Sequence, residues 1–302
     1  MSKTFHANGK LLITGEYFIL DGAVGLALPT KFGQTLTVES IEENGISLKS
    51  IDYENKIWFE AKFSEQLEII SSTNDEVAKT LQNILSHCKL ITHNSQLTTL
   101  LDFPNDWGLG SSSTLISLIA QWTNTNPYEL LAKTFDGSGY DIACATSESA
   151  ITYQLVNSRQ STVDRRLSSV DFKPNFSNNL YFVHLNKKQN SREGIQHYKN
   201  LMIDKADIIE QISDLTQKII AANELDEFCY YLEVHENIVS NALKLQKVKD
   251  IYFNDFPGTI KSLGAWGGDF VMVASDESPE MITQYFNQKE LSTILTYDTI
   301  IL

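Results

Sequence analysis

The sequence predicts an α+β protein built from two halves. Three observations support this class: period-two alternation in the first third, several segments with apolar residues at helical spacing, and a polar stretch over residues 157–179 between two element-rich regions. At 302 residues with 42% hydrophobic and 21% charged residues, the chain is long enough for two packed cores. We expect an N-terminal domain over residues 1–157 and a C-terminal domain over residues 158–302.

The first third alternates in the manner of β-strands and is punctuated by Asn-Gly and Asp-Gly turns. This pattern predicts an antiparallel sheet or a hairpin meander. The predicted strands cover residues 3–7, 11–20, 34–40, 46–50 and 56–63.

Helical spacing begins after these strands. Val77, Leu81 and Ile84 recur on one face behind an acidic start, which predicts a helix over residues 75–90. The next predicted elements are a strand over 96–102, helices over 111–124 and 127–135, and a helix from about Tyr140. After the polar stretch we expect a strand over 180–185, helices over 191–222 and 225–248, and short strands around a helix over 280–287.

The charge balance limits the possible partners. The formal net charge is −14, which argues against nucleic acid and anionic membranes because phosphate-rich surfaces are bound by basic proteins. The N-terminus lacks a continuous apolar signal region, and no stretch approaches the roughly 18–20 apolar residues of a membrane span. We expect a cytoplasmic monomer or homodimer that acts on a small-molecule substrate.

Three short stretches concentrate seven of the 15 glycines. The first, residues 108–113, reads Gly-Leu-Gly-Ser-Ser-Ser and precedes an apolar helix. It is either a flexible loop with a serine cap or an anion cradle made of backbone N–H groups. The P-loop pattern is excluded because no lysine followed by Ser or Thr comes after the second glycine, and the hydrolase pattern G-x-S-x-G is absent.

The other two stretches also leave alternatives open. In residues 137–141, Asp141 stands at the start of an apolar helix, where it is either a reactive carboxylate or only a cap. In residues 264–269, a glycine turn precedes an apolar strand, and the stretch is either a ligand loop or a tight turn with a packed Trp266.

Four strings together carry a resemblance to the GHMP small-molecule kinases. They are residues 8–17, 108–112, 137–141 and 264–269, and they span almost the whole chain. The first string, with Gly-Glu-Tyr, is most similar to the phosphomevalonate kinases. The resemblance implies a two-domain fold, with a ribosomal-S5-like N-terminal half and a ferredoxin-like C-terminal half, and with ATP and substrate in the cleft between them.

The resemblance also implies roles for single residues. It implies that Lys10 stabilises charge near the transferred phosphoryl group, and that Asp141 orients or deprotonates the acceptor. ATP would lie against Gly108, Leu109, Gly110, Ser111, Ser112 and Ser113, with Mg²⁺ held by Ser112. Residues implied on the acceptor's side are Glu16, Tyr17, Gly139, Ser191, Arg192, Gly264, Ala265, Gly267, Gly268 and Asp269.

Two departures from the family pattern bear on activity. Trp266 stands where a glycine is usual, so its indole is expected to pack against a ligand or to block part of the loop. Mevalonate kinases supply a glutamate as a Mg²⁺ ligand at a position where this chain has Leu130 or Leu131. Ser112, phosphates and water would then hold the ion, since Mg²⁺ keeps waters readily.

The resulting hypothesis is an ATP-dependent kinase of a small anionic metabolite, with phosphomevalonate as the acceptor. The alternatives are a mevalonate kinase, a diphosphomevalonate decarboxylase, or a catalytically silent relative that binds a nucleotide. A phosphate acceptor would need further cations. Lys187, Lys188 and Arg192 are candidates, and the other interpretation of these three is a solvated basic turn.

Overall fold

The computed structural model describes residues 2–89, 94–135, 137–157 and 163–302. They form two compact units, each assembled from separate parts of the chain. The first unit comprises Met1–Lys10, Phe32–Asn105 and Leu109–Ser147, and the second comprises Leu11–Lys31, Asp106–Gly108 and Glu148–Leu302. The predicted boundary between residues 157 and 158 touches residues outside the described ranges, so it stays a prediction.

The first unit is a sheet with helices. Its strands are β1 (Ser2–Leu12), β2 (Gly25–Ser40), β3 (Ile46–Ile51), β4 (Ile57–Phe63), β5 (Ile69–Ser72) and β6 (Ser95–Leu101), of which β1 and β2 also extend into the second unit. Its helices are α1 (Asp75–Ser86), α2 (Ser111–Thr123), α3 (Pro127–Thr134) and α4 (Tyr140–Cys144). The strand order is β5-β4-β3-β6-β2, with β1 paired to β2. The β3–β6 pair is parallel, whereas the β2–β6, β3–β4 and β4–β5 pairs are antiparallel.

Helix α1 shows how the sequence pattern builds this core. The Asn74 side chain accepts hydrogen bonds from the N–H groups of Glu76 and Val77, which caps the helix. Its buried residues fall at helical spacing and join a cluster with alternate residues of the strands, such as Leu48 and Leu97. The same cluster includes Ile116, Leu118 and Ile119, so the core fixes the helix that follows the glycine-serine loop.

The second unit contains two groups of strands. Residues 25–31 of β2, β7 (Ile151–Asn157) and β8 (Val163–Ser169) follow one another in the order β2-β7-β8, all antiparallel. The second sheet has the antiparallel order β10-β11-β9-β12, from β9 (Leu180–His184), β10 (Thr259–Ser262), β11 (Phe270–Ala274) and β12 (Ile294–Thr296). The helices are α5 (Ser191–Lys199), α6 (Ala206–Ala221), α7 (Leu225–Leu243), α8 (Val248–Tyr252), α9 (Pro279–Gln288) and α10 (Tyr297–Ile300).

Two apolar clusters fill the second unit. One joins Val183 and Val271 of the sheet to Phe253 and Phe286, next to α8 and in α9. The other brings together Tyr17, Phe18, Tyr198, Val239 and Trp266. It ties a 3₁₀ turn (Phe18–Asp21) to the helices of this unit.

The mixed α+β class is confirmed, and two predicted strand assignments are corrected. The predicted strand over 11–20 ends at Leu12, because Gly15 (φ 89°) and Tyr17 (φ 59°) adopt left-handed conformations that no strand accommodates. The polar stretch over 157–179 was expected to be a crossing segment, but its described part contains β8, whose side chains from Asp164 to Ser169 are exposed.

The helical predictions also need correction in places. The single helix expected over 191–222 is two helices, α5 and α6, separated at residues 200–205. The helix expected over 75–90 ends at Ser86, and residue 90 lies outside the described ranges. The short strand β5 was not predicted, since its four residues alternate in neither burial nor hydropathy.

Candidate functional site

The glycine-serine loop leads into α2 in the first unit. Gly110 is the N-cap residue with φ 91° and ψ 39°, and as a glycine it has no side chain with which to cap the first turn. Ser111 Oγ donates to Asn105 Oδ1 at 2.9 Å, while Ser112 is exposed. A helix start without a side-chain cap presents backbone N–H groups and a partial positive charge, which suits an anion.

Lys10 lies along this loop. Its backbone N–H donates to the Leu109 carbonyl at 3.0 Å, so the end of β1 is tied to the loop. A Cβ placed on Gly110 would be 3.3 Å from Lys10 Cε, which puts the lysine stem against the glycine backbone. Its Nζ is 5.8 Å from the centre of the Tyr140 ring, within the range of a cation–π contact.

Asp141 lies in the first turn of α4, which follows Gly139 (φ 89°). The Ser113 hydroxyl donates to Asp141 Oδ2, and the Ile142 N–H donates to Oδ1 at 3.2 Å. Burial raises the pKa of the Cys144 thiol, the Asp141 carboxylate raises it further, and Lys10 lowers it. Lys10, Gly110, Ser113 and Asp141 therefore converge in the first unit from three different elements.

Gly108 lies in the second unit, where it meets the loop before β11. A Cβ at Gly108 (φ 67°) would overlap the Asp269 carboxylate, so the close approach requires glycine. Asp269 Oδ1 accepts from the Gln189 N–H at 3.0 Å, and the Asp269 N–H donates to the Lys187 carbonyl at 2.8 Å. The Asp269 side chain therefore holds the segment after β9 beside Gly108.

Trp266 is packed inside the second unit. Its indole is buried, and Nε1–H donates to the Gln246 carbonyl at 3.0 Å. Its backbone N–H donates to the Tyr17 hydroxyl at 3.1 Å. The expectation that the indole packs against a ligand or blocks the loop is thus corrected, because the ring belongs to a hydrophobic core. The packed-tryptophan interpretation holds for this residue.

Glu16 is at the centre of a buried group of charged side chains in the second unit. Lys261 Nζ contacts Glu16 Oε1 and lies 3.4 Å from Glu236 Oε2. His235 Nε2 accepts from the Gly15 N–H at 3.2 Å and is 3.5 Å from Glu16 Oε2. Burial is the main cause that raises the pKa of Glu16 to about 7, with Lys261 opposing it.

Sequence reasoning found Glu16 but missed its partners. Lys261 is 245 residues away along the chain, and a lysine in a short strand signals nothing by itself. Two buried oxygens of the group, Glu16 Oε2 and Glu236 Oε2, lack a hydrogen-bond donor in the described structure. These charges tie the segment around Glu16 to α7 and β10 within one unit.

The remaining predicted residues differ in exposure. Ser191 and Arg192 are exposed at the start of α5, which Asn190 caps by accepting from the Arg192 N–H at 3.1 Å. Leu130 and Leu131 are buried in the core of the first unit. Ala265 and Gly268 are buried, whereas a Cβ at Gly264 or Gly267 would meet no atom within 4 Å.

Comparison with known proteins gives matches in structure alone. No protein-family model and no curated protein sequence matches the chain. Among solved structures, the Lin0012 protein from Listeria innocua has 13% identity and a TM-score of 0.73, with 98% of this chain and 97% of that chain covered.

Two kinases match over a similar extent. Streptococcus pneumoniae phosphomevalonate kinase in complex with phosphomevalonate and AMPPNP has 16% identity and a TM-score of 0.70, and the match covers 98% of this chain and 99% of that one. A D-glycero-D-manno-heptose 1-phosphate kinase from Bacteriodes thetaiotaomicron has 14% identity and a TM-score of 0.67, covering 100% and 96%. The chain has the fold of the GHMP kinases.

The GHMP kinase fold confirms the fold expected from the four strings. A shared fold at these sequence identities does not assign a phosphoryl acceptor to this chain. The two matched kinases are themselves named for different acceptors. In the described ranges, no group of three or more His, Cys, Asp or Glu residues is arranged to hold a metal ion. No helix among the described residues has the length and apolar character needed to span a membrane.

Proposed function

We propose that this chain is an ATP-dependent small-molecule kinase that transfers the γ-phosphoryl group to an anionic metabolite, with phosphomevalonate as the acceptor. One observation carries the proposal: Lys10, Ser113 and Asp141 converge beside Gly110 at the start of α2. Uncapped backbone N–H groups, one lysine and one carboxylate are the parts that phosphoryl transfer to a hydroxyl or phosphate requires.

The residues at the loop fit a nucleotide triphosphate and a magnesium ion. Bound Mg·ATP supplies the phosphoryl group and a cation that neutralises its charge. The N–H groups of Ser111 and Ser112 lie in the uncapped first turn, where they bind phosphate oxygens. The exposed hydroxyl of Ser112 is a Mg²⁺ ligand in this proposal, and water completes the shell.

Lys10 and Asp141 have separate tasks in this proposal. Lys10 places a fixed positive charge where negative charge develops on the transferred group, which lowers the barrier electrostatically. One oxygen of Asp141 accepts a hydrogen bond from the Ser113 hydroxyl, which holds the carboxylate in a single orientation. For a hydroxyl acceptor it takes the proton, and for a phosphate acceptor it orients the attacking oxygen.

The choice of phosphomevalonate rests on two supports. The string over residues 8–17 is most similar to the phosphomevalonate kinases, and a kinase of that name shares the fold over nearly its full length. An anionic acceptor also suits the second unit, where Ser191 and Arg192 begin α5 with exposed side chains. Arginine binds phosphate with two parallel hydrogen bonds.

A coupled assay of ADP release tests the proposal. The acceptors are mevalonate, its phosphate, its diphosphate, homoserine and galactose, each supplied with Mg·ATP. We expect turnover with phosphomevalonate at a kcat/KM at least about tenfold above any other acceptor, since each 1.4 kcal/mol of discrimination is worth that factor. Turnover with none of the mevalonate series would remove this acceptor class, and release of carbon dioxide from the diphosphate would indicate the decarboxylase.

The alternative function is that of a protein that binds a nucleotide but catalyses no phosphoryl transfer. It is favoured by Leu130 and Leu131, which are buried apolar residues where mevalonate kinases are expected to carry an acidic Mg²⁺ ligand. Single-turnover measurement with labelled ATP separates the two functions. Binding of Mg·ATP without transfer to any acceptor would support the silent protein.

A further inference from the structure

A cavity of about 380 Å³ lies within the second unit. Its walls come from the residues that follow β9, from the end of α8 and from the turn after α9. Leu185, Tyr252, Phe253 and Leu291 make most of this lining apolar. The volume falls within the range of small-molecule sites, roughly 300–1,000 Å³.

Two lysines complete the lining. Lys187 follows β9 and Lys289 follows α9, and none of the residues that line the cavity in the described structure is acidic. This is the reverse of the average surface of a chain with 38 acidic and 24 basic residues. The lining is therefore positive on a protein of net negative charge, and Asp255, at 3.5 Å from Lys289 Nζ, offsets part of this charge. A positive lining favours anions.

The Lys289 side chain is held at the cavity wall by its neighbours. Its Nζ is 4.9 Å from the centre of the Tyr285 ring and 5.9 Å from that of Phe253. It is also 3.5 Å from Asp255 Oδ1, and this carboxylate accepts the Tyr285 hydroxyl at 2.6 Å. The two rings and the carboxylate restrict the position of the ammonium group, so less conformational freedom is lost when a ligand binds.

Gly267 contributes bare backbone to the cavity. It has φ 81°, and a Cβ built there would find no heavy atom within 4 Å, so the space beside it is open. Its loop is linked to Lys187 by the hydrogen bond from the Asp269 N–H to the Lys187 carbonyl. The cationic and apolar parts of the lining are thus fixed to the same ordered backbone.

We propose that this cavity binds an organic phosphate with a short hydrocarbon body. Two ammonium groups match the double charge of a phosphate monoester, for which lysine acts as a point charge. An inorganic anion would make no contact with the apolar wall formed by Leu185, Phe253 and Leu291, and a neutral hydrocarbon would pair with neither ammonium group. In this proposal Lys187 and Gly267 line this cavity rather than the acceptor's side. The site is therefore additional to the nucleotide and acceptor sites of the proposed kinase and goes beyond that function.

Calorimetric titration of the full chain tests this site with three probes: hexyl phosphate, inorganic phosphate and hexanol. Hexyl phosphate is expected to bind at least about tenfold more tightly than inorganic phosphate, because each buried methylene contributes about 0.8 kcal/mol. Hexanol is expected to bind more weakly than hexyl phosphate by a similar factor, since it pairs with neither ammonium group.

Substitutions of the two lysines test whether hexyl phosphate binds in this cavity. Lys187→Gln and Lys289→Gln should each weaken hexyl phosphate binding about fivefold, the scale of a hydrogen bond to a charged group at a partly exposed position. Lys244→Gln is the control, because this exposed lysine of the same unit does not line the cavity, and its Kd should stay that of the parent protein. Circular dichroism and the melting temperature verify that each variant is folded.

Three outcomes would overturn the proposal. One is equal affinity for hexyl phosphate and inorganic phosphate, and another is unchanged binding in the Lys187→Gln/Lys289→Gln double variant. The third is loss of binding in Lys10→Met, which would put the ligand at the loop of the first unit. None of these results depends on ADP release, so failure here and failure of the proposed kinase activity are distinguishable.

Discussion

Lys10 and Asp141 are the side chains on which the proposed chemistry depends. They come from β1 and α4, and both reach the glycine-serine loop inside one compact unit. The contact of Asp141 with Ser113 is a local constraint that keeps a carboxylate beside the start of α2. Because neither residue belongs to the apolar core, each can be replaced without opening a cavity.

Replacing Lys10 with methionine should lower kcat by about 10²-fold or more while the fold is kept, because a fixed charge near the transferred group is lost. Asp141→Asn should lower kcat to a similar extent through loss of the acid–base and orienting function. Steady-state kinetics with the preferred acceptor measure both. Lys3→Met, an exposed lysine on the same strand, is the control and should leave kcat unchanged. Unchanged rates in both site variants would remove these two assignments.

Gly110 should tolerate no side chain. At φ 91° an alanine costs about 1–2 kcal/mol of stability, and its Cβ would be 3.3 Å from Lys10 Cε. Gly110→Ala is therefore expected to lower both the free energy of unfolding and kcat. Urea unfolding and the kinetic assay measure the two effects.

A substitution at a second glycine distinguishes the effect of backbone strain on stability from an effect on the proposed site. Gly22 also has a left-handed backbone (φ 99°), and a Cβ there would lie 3.0 Å from the Leu155 carbonyl oxygen in the second unit. Gly22→Ala should lower stability to a similar degree while kcat stays unchanged. If both alanine variants lowered kcat equally, the loss at Gly110 would be a consequence of general destabilisation.

At the scale of elements, the buried group around Glu16 connects a turn to a helix and a strand. Glu16, His235, Glu236 and Lys261 are all buried, and they lie on the turn after β1, on α7 and on β10. Replacing Lys261 would leave the buried carboxyl groups of Glu16 and Glu236 without their cation, which is strongly destabilising in a dry interior. The group therefore favours one arrangement of these elements over others.

Glu16 predicts how stability depends on pH. Its pKa is about 7 in the folded protein, against 4.5 for an ordinary glutamate, so the folded state keeps a proton that the unfolded state has lost between these values. Stability from this group is present below about pH 4.5 and is lost as the pH rises through 7. The difference in unfolding free energy between the parent protein and Glu16→Gln should fall by about 3 kcal/mol across this interval.

Urea unfolding of both proteins from about pH 4 to pH 8 measures this difference. Burial lowers the pKa of His235, which acts in the opposite direction below its ordinary value of 6.5. Because His235 is 3.5 Å from Glu16, the same comparison in a His235→Gln background isolates the contribution of Glu16. A flat difference for Glu16→Gln would mean that Glu16 has the same pKa in the folded and the unfolded protein.

Elements could be predicted from the sequence where burial follows a simple period. Helix α1 begins within its predicted range, because Asn74 and the spacing of Leu81 and Ile84 are local signals. The turn after β1 could not be predicted, since the apolar residues around it are buried on all sides and imitate a strand. The break between α5 and α6 carries no Gly or Pro, and its local signal is the side chain of Asp204, which accepts from the Ala206 N–H at 3.0 Å.

The residues of the candidate site could also be predicted from the sequence only in part. The loop at Gly110 and the carboxylate of Asp141 stand out in the sequence because each combines glycine with the start of an apolar helix. The partners of Glu16 and the lysine-lined cavity depend on contacts between distant positions, which leave no local pattern. The burial of Trp266 is likewise a result of packing against Tyr17 and its neighbours.

At the scale of the whole molecule, nucleotide binding should raise stability. A ligand that binds only the folded chain contributes RT ln(1 + [L]/Kd), or about 2.7 kcal/mol at a hundredfold excess over Kd. Mg·AMPPNP should therefore raise the melting temperature by several degrees in differential scanning fluorimetry. Gly110→Ala should lose most of this shift, and Gly22→Ala should retain it. No shift at millimolar nucleotide would contradict both the kinase and the silent nucleotide-binding protein.

The interleaved composition of the two units has a consequence for protein engineering. The second unit takes residues 11–31 and 106–108 from the N-terminal part of the chain, and Glu16 is among them. A C-terminal fragment that starts at residue 158 would lack the first carboxylate that neutralises Lys261. Chimaeras joined at that point would exchange no complete unit, because the chain passes between the two units at five points, and an exchange of one whole unit between homologous proteins requires five crossovers.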